Sequence, residues 1–277
     1  FDAVTHAFTT MATGGFSVRN TSISSYQSDA ITWVIIVFTF LAGINFSLLY
    51  AVVRGRIKDA LRSEELRWYL LILAITITLI CVDLHVELGQ GWYESAKDAA
   101  FQATTIMSTT GYATKDFTLW PTFSRCILVL LMYVGGCAGS TAGGMKVSRL
   151  MLQVKSLRRE LDHIIHPNRV SVITMDGQSV DERAVTSAHM FQVAYLLVLM
   201  AGTLVVSLDV LGFTESFVAS LTCVSNVGPS LGALGPMANF APLSWFSKLV
   251  LTLIMLMGRL ELMPLLVLLS PSTWRNK

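Results

Sequence analysis

Apolar runs near membrane-crossing length constrain this chain more than any other feature of its sequence. They fall at 31–53 (ITWVIIVFTFLAGINFSLLYAVV), 68–82 (WYLLILAITITLICV), 188–211 and 245–269, with a shorter one at 126–138 (CILVLLMYVGGCA) that ends in glycines. A spanning helix needs about 20 mostly apolar residues. Only 14% of the residues are charged, against about 25% in ordinary soluble domains. The chain therefore reads as an all-α polytopic membrane protein. Its four cysteines, Cys81, Cys126, Cys137 and Cys223, lie in or beside apolar segments without metal-ligand spacing and read as free thiols. No Ser/His/Asp set, carboxylate pair or zinc constellation emerges, so an enzyme is not expected, and nothing points to a nucleic-acid partner. The start at Phe1-Asp2-Ala3, in mid-motif, reads as the edge of a fragment.

Charge is distributed unevenly between the two ends of the runs. Segment 54–67 carries five Lys or Arg, 146–183 carries seven, and the terminal WRNK two. The opposite side holds Arg19, Lys97, Lys115, Arg125 and Lys248, while Arg259 sits inside a run. By the positive-inside rule, 54–67 and 146–187 are expected in the cytoplasm. His163 and His166 lie on a charged stretch, LRRELDHIIHPNRV, that ends near Pro167; SVITMDGQSVDERAV after it reads as a small hairpin. This longest cytoplasmic element is the best candidate docking surface for a regulator, though a solvated linker fits the composition as well. His85 and Glu87 read as solvated at an outer helix end.

A repeat lies across this pattern. Aligning FDAVTHAFTTMATGGFS, KDAAFQATTIMSTTGYA and TESFVASLTCVSNVGPS on Gly15, Gly111 and Gly228 puts an acid thirteen residues earlier each time: Asp2, Asp98 and Glu215. A Thr stands six before (Thr9, Thr105, Thr222), and Thr13, Thr109 or Asn226 stands two before. The acids are expected to open half-helices of about 12 residues, where a negative charge is favourable, too short to span. Such a helix enters the membrane and returns through its Gly loop, and non-helical backbone at that depth is tolerated where it is buried or lines a wet cavity. Surface helices ending in Gly caps are the plainer alternative. A span, a re-entrant helix with a Gly loop and a second span form a cation-channel unit, in which loop carbonyls replace an ion's hydration shell. Four such units would close a pseudo-fourfold ring. Three are visible, at 1–67, 68–187 and 188–277, and a further one is expected ahead of Phe1.

GGCAGSTAGGMK (135–146) interrupts the second span of the middle unit with five glycines in ten residues. At about 1 kcal/mol each relative to Ala they cannot sustain a helix, so the segment is expected to unwind within the membrane. A nucleotide loop is disfavoured by Met145 at the Lys position. A small-residue packing face would explain Gly135 and Gly139 but not Ser140-Thr141. Arg259, mid-span in LIMLMGRLELMPLL, must pair or meet water, and Glu261 or a backbone carbonyl is the expected partner.

ATGGFS, STTGYAT, SNVGPS, GGCAGSTAGGMK and MGRLE together resemble the Trk/Ktr/HKT superfamily of potassium transporters, in particular its bacterial TrkH type. The resemblance covers essentially the whole chain, as repeats two to four of four. It implies a single-file potassium pathway, potassium as the transported ion with no other cofactor, and a homodimeric subunit of the bacterial inner membrane with its filter loops facing outside. It also implies a cytosolic TrkA-like nucleotide-binding regulator. Filter carbonyls are expected from Thr13, Gly14 and Gly15, from Thr109, Thr110 and Gly111, and from Asn226, Val227 and Gly228. Pro229, where the other loops have Phe16 and Tyr112, departs from the pattern and predicts a less symmetric filter. Gly135, Gly136, Gly139, Ser140, Thr141, Gly143 and Gly144 would form an occluding loop, with Arg259 in the pore beside it. A sodium-permeable or mixed pathway is one alternative. A non-conducting scaffold for the regulator is another, against which the registered Gly loops weigh.

Overall fold

The computed structural model describes residues 1–168, 171–209, 211–269 and 274. Helices α1 (Asp2–Met11), α2 (Asp29–Ala42), α3 (Phe46–Val53), α4 (Ile57–Arg62), α5 (Glu64–Leu88), α6 (Trp92–Met107), α7 (Thr122–Val134) and α8 (Val147–Ile165) come first. A hairpin of β1 (Thr174–Met175) and β2 (Gln178–Ser179) follows, then α9 (Glu182–Val206), α10 (Phe213–Ser225), α11 (Trp245–Arg259) and α12 (Met263–Leu269).

Among the described residues two helices, α5 and α9, are long and apolar enough to cross a membrane alone. Each starts where its sequence provides an acidic first turn: Glu64 and Glu65 in α5, and Glu182 in α9, whose cap Asp181 accepts the Arg183 N–H at 3.1 Å. Gly89, in the left-handed conformation at φ 63°, ends α5. The short helices α1, α6 and α10 each precede one of the three aligned Gly loops.

The second spans differ from expectation. Run 31–53 is not one helix: α2 and α3 meet at a 106° bend. Asn45 caps α3 by accepting the Ser47 N–H at 2.8 Å, while Gly43 and Gly139 carbonyls bond across the bend to Cys137 and Phe46 N–H groups at 2.9 and 3.1 Å. Run 245–269 breaks likewise between α11 and α12, where Glu261 and Leu262 adopt φ of 61° and 53°. With the expected interruption at 135–146, all three second spans are broken.

Helix α6 also departs from expectation. It begins at Trp92, so Asp98 lies within a 16-residue helix rather than opening a shorter one. From Asp98 to Met107 every residue is buried, polar ones included. The main core joins α5, α6, α7, α9, α10 and α11 through side chains such as Tyr69, Ile106, Leu128, Tyr195 and Val224. The hairpin expected in SVITMDGQSV forms, and its turn residue Asp176 accepts the Glu64 N–H at 2.6 Å, seating it at the start of α5. His85 is not simply solvated: its ring stacks on Trp92 at 3.9 Å and its Nδ1 lies 2.7 Å from the Gln90 carbonyl. All four cysteines are free.

Candidate functional site

The three Gly loops share a backbone. The residue two before each anchor, Thr13, Thr109 or Asn226, adopts φ of 50°, 57° or 58°, and the anchors Gly15, Gly111 and Gly228 adopt 66°, 82° and 110°. In each loop the left-handed residue donates to the carbonyl three back, and the next residue donates to the carbonyl five back. These bonds are Thr13 to Thr10 and Gly14 to Thr9, Thr109 to Ile106 and Thr110 to Thr105, and Asn226 to Cys223 and Val227 to Thr222, at 2.8–3.2 Å. This is the Schellman pairing that ends a helix on a left-handed residue. The cap is thus Thr or Asn, and the anchor glycine is free for another task.

That task is close approach between loops. A Cβ on Gly15 would stand 1.8 Å from the Thr110 carbonyl oxygen, and one on Gly111 would stand 2.0 Å from that of Val227. Only glycine allows either contact. The loops therefore adjoin in the order two, three, four, each anchor facing the residue before the next anchor. The repeated Thr braces each loop: Thr105 Oγ1 accepts the Tyr112 N–H at 2.9 Å, Thr222 Oγ1 accepts the Gly228 N–H at 2.8 Å, and Thr9 donates to the Phe16 carbonyl at 3.0 Å. Tyr112 is fully buried and its hydroxyl bonds Thr9 and Thr10, joining its own Gly loop to α1.

Segment 135–146 is non-helical and lies against the C-terminal ends of α1, α6 and α10. The Thr141 hydroxyl donates to the Met11 carbonyl at 3.1 Å, the Gly143 N–H donates to Thr109 Oγ1 at 2.7 Å, and a Cβ on Gly143 would come within 2.3 Å of the Ser225 carbonyl. Ser140 serves the segment itself, bonding the Cys137 carbonyl at 2.6 Å and the Ala142 N–H at 3.2 Å. Glu65, buried on α5, accepts the Ala138 N–H at 2.7 Å from behind. At the neck, Met145, Lys146 and Val147 N–H groups bond the carbonyls of Tyr133, Val134 and Gly136. Helices α7 and α8 are thereby joined across the base of the loop, and the helical packing-face reading of Gly135 and Gly139 does not hold.

Arg259 donates to the Thr141 carbonyl at 2.8 Å. The carbonyl alternative is the one realised, and the Glu261 alternative is not. Glu261 pairs with Lys146 at 2.5 Å and Arg149 at 2.7 Å, fastening the break in the last span to the start of α8. Ser140, Thr141, Gly143, Lys146, Arg259 and Glu261 line a cavity of about 270 Å³ beneath the loop. Every residue expected in the filter and the occluding loop thus falls in one neighbourhood. Sequence reasoning missed Glu65, Lys146, Arg149 and the bracing by Tyr112. It had registered the repeated Thr without a role.

The family described as "TrkH: Cation transport protein" matches residues 1–276. The chain is 34% identical over 281 residues to the Trk system potassium uptake protein TrkH of Salmonella typhimurium, covering 100% of this chain and 57% of that protein. It is 35% identical over 277 residues to TrkI of Halomonas elongata, covering 99% and 56% respectively. The crystal structure of the potassium transporter TrkH from Vibrio parahaemolyticus superposes with a TM-score of 0.91 at 33% identity, over 99% of this chain and 59% of that one. The chain thus spans under two thirds of the length of these relatives. Loop geometry, fold and sequence agree, and the chain belongs to the TrkH family of cation transport proteins, which are membrane transporters and not enzymes.

Proposed function

We propose that the three loops are walls of a selectivity filter through which potassium enters the cell in single file. The observation that carries this reading is the edge-to-edge packing of Gly15 on Thr110 and Gly111 on Val227. It brings backbone carbonyls of successive loops together at the C-terminal ends of three short helices, whose negative ends favour a cation. The Cβ position of Gly228 meets open space, which leaves room for a further wall in this reading. The potassium specificity named for the relatives supports potassium as the ion carried.

Segment 135–146 is the gate in this reading, held shut by its bonds to Met11, Thr109 and Arg259. Because α8 leaves directly from its neck, displacement of α8 pulls on the loop. Residues 146–187 are then the cytoplasmic surface on which a TrkA-like nucleotide-binding regulator acts, in a homodimer of the bacterial inner membrane with the filter loops outward. The charge asymmetry favours this orientation.

Rubidium and sodium flux into liposomes carrying the full-length protein tests the filter. Gly111→Ser forces a side chain into the Val227 carbonyl, so the rubidium-to-sodium ratio falls; an unchanged ratio removes Gly111 from the filter.

A further inference from the structure

The aligned repeats carry a second pairing. Four residues after each anchor glycine stand Arg19, Lys115 and Gly232, and thirteen before stand Asp2, Asp98 and Glu215. Lys115 Nζ lies 2.6 Å from Asp98 Oδ2, the acid almost wholly buried and the base half-exposed. Arg19 Nε lies 3.6 Å from Asp2 Oδ2, which also accepts the Tyr26 hydroxyl at 2.7 Å. In the last repeat the base is absent and the acid is one methylene longer. There Glu215 Oε1 accepts the Ala233 N–H at 2.8 Å, and a Cβ on Gly232 (φ 65°) would come within 2.1 Å of that oxygen. Two different chemistries produce one connection, from the entry half of the pore helix to the end of the strand that leaves the filter.

We propose that these ties are positioning elements of the filter: they fix the outgoing strand of each loop against its own pore helix and so set the separation of the filter carbonyls. The inference rests on the filter reading above. The Schellman caps and the repeated Thr hold each loop only as far as the residue after its anchor glycine, and the ties hold the strand beyond it. A carboxylate as buried as Asp98 needs its partner, since an uncompensated buried charge is costly. The side chains carry no ion themselves. They act through the backbone between them.

Rubidium-to-sodium flux ratios of the full-length protein in liposomes test this with five variants. Lys115→Gln and Gly232→Ala break a tie, whereas Lys115→Arg and Glu215→Gln keep one, the amide oxygen still accepting from Ala233. Gly111→Ser reports on the filter itself. Both tie-breaking variants are expected to lower the ratio by about tenfold, equivalent to about 1.4 kcal/mol of lost discrimination, while both tie-keeping variants retain it. Retention on size exclusion checks that the tie-breaking variants remain folded. Normal ratios in Lys115→Gln and Gly232→Ala beside an altered Gly111→Ser overturn the ties and spare the filter. An equal fall in all four tie variants also overturns them. Normal ratios in all five overturn the filter reading itself.

Discussion

Thr13 and Arg259 donate to the same acceptor, the carbonyl of Thr141, each at 2.8 Å. One residue belongs to the filter loop of repeat two and the other to the broken span of repeat four. Segment 135–146, the gate proposed above, is therefore tied both to the Gly loop that follows α1 and to a cation of α11. A charge-assisted hydrogen bond contributes about 1.5–3 kcal/mol, and about 1.4 kcal/mol is a factor of ten in population. Arg259→Ala is accordingly expected to raise basal rubidium flux about tenfold. Equal flux in variant and parent proteins would show that this bond does not hold the gate.

Thr109 joins the proposed filter to the proposed gate through one neutral hydrogen bond, from the Gly143 N–H at 2.7 Å. Thr109→Val keeps the shape and removes the acceptor. A neutral bond is worth about 1 kcal/mol, so basal flux should rise about fivefold, less than for Arg259→Ala. Deleting 139–143 removes all the contacts and should exceed both. A deletion no leakier than the parent would argue that the segment does not occlude.

Glu261 binds Lys146 and Arg149 at the foot of the same loop. Glu261→Ala leaves two partly buried cations without their acid, and the cost is about 2–3 kcal/mol. Thermal unfolding of the solubilised protein should show a lowered midpoint. Lys146→Ala, which leaves Glu261 its Arg149 partner, should lower it less. A midpoint unmoved by either change would contradict a fastening role.

Tyr112 braces its Gly loop against α1, its buried hydroxyl meeting Thr9 and Thr10 across the repeat boundary. Tyr112→Phe keeps the ring in place and leaves those hydroxyls short of a partner, at a cost of about 1–2 kcal/mol. A lower melting temperature with a reduced rubidium-to-sodium ratio is expected. Parent-like values of both would leave Tyr112 as packing only.

The parts of this architecture legible in the sequence are those with a period or a fixed offset. The Gly anchors, the acids thirteen before them and the Thr six before them could be registered because each repeat must satisfy the same backbone. The glycines of 135–146 announced a broken helix through propensity alone. The breaks at 43–45 and 260–262 are hidden because they lie within long, mostly apolar runs. Asn45 marks the first break only as a local cap, through the Ser47 N–H, while Glu261 in the second finds its partners Lys146 and Arg149 on a distant segment. Arg259 shows the same limit from another side. Its need for a partner was plain, yet Glu261, two residues away, is taken by Lys146 and Arg149, and the partner is the Thr141 carbonyl, 118 residues away in sequence. The pairing of Asp98 with Lys115 sat at a constant offset in two repeats and was obscured by Gly232 in the last.

The most direct test of the central claim is to locate the ion. Crystals of the full-length protein grown with rubidium or thallium should give anomalous density within coordination distance of the carbonyls of Thr110 and Val227, beside Gly15 and Gly111. Density for the ion confined to the cavity beneath 135–146, with none between the loops, would contradict the filter.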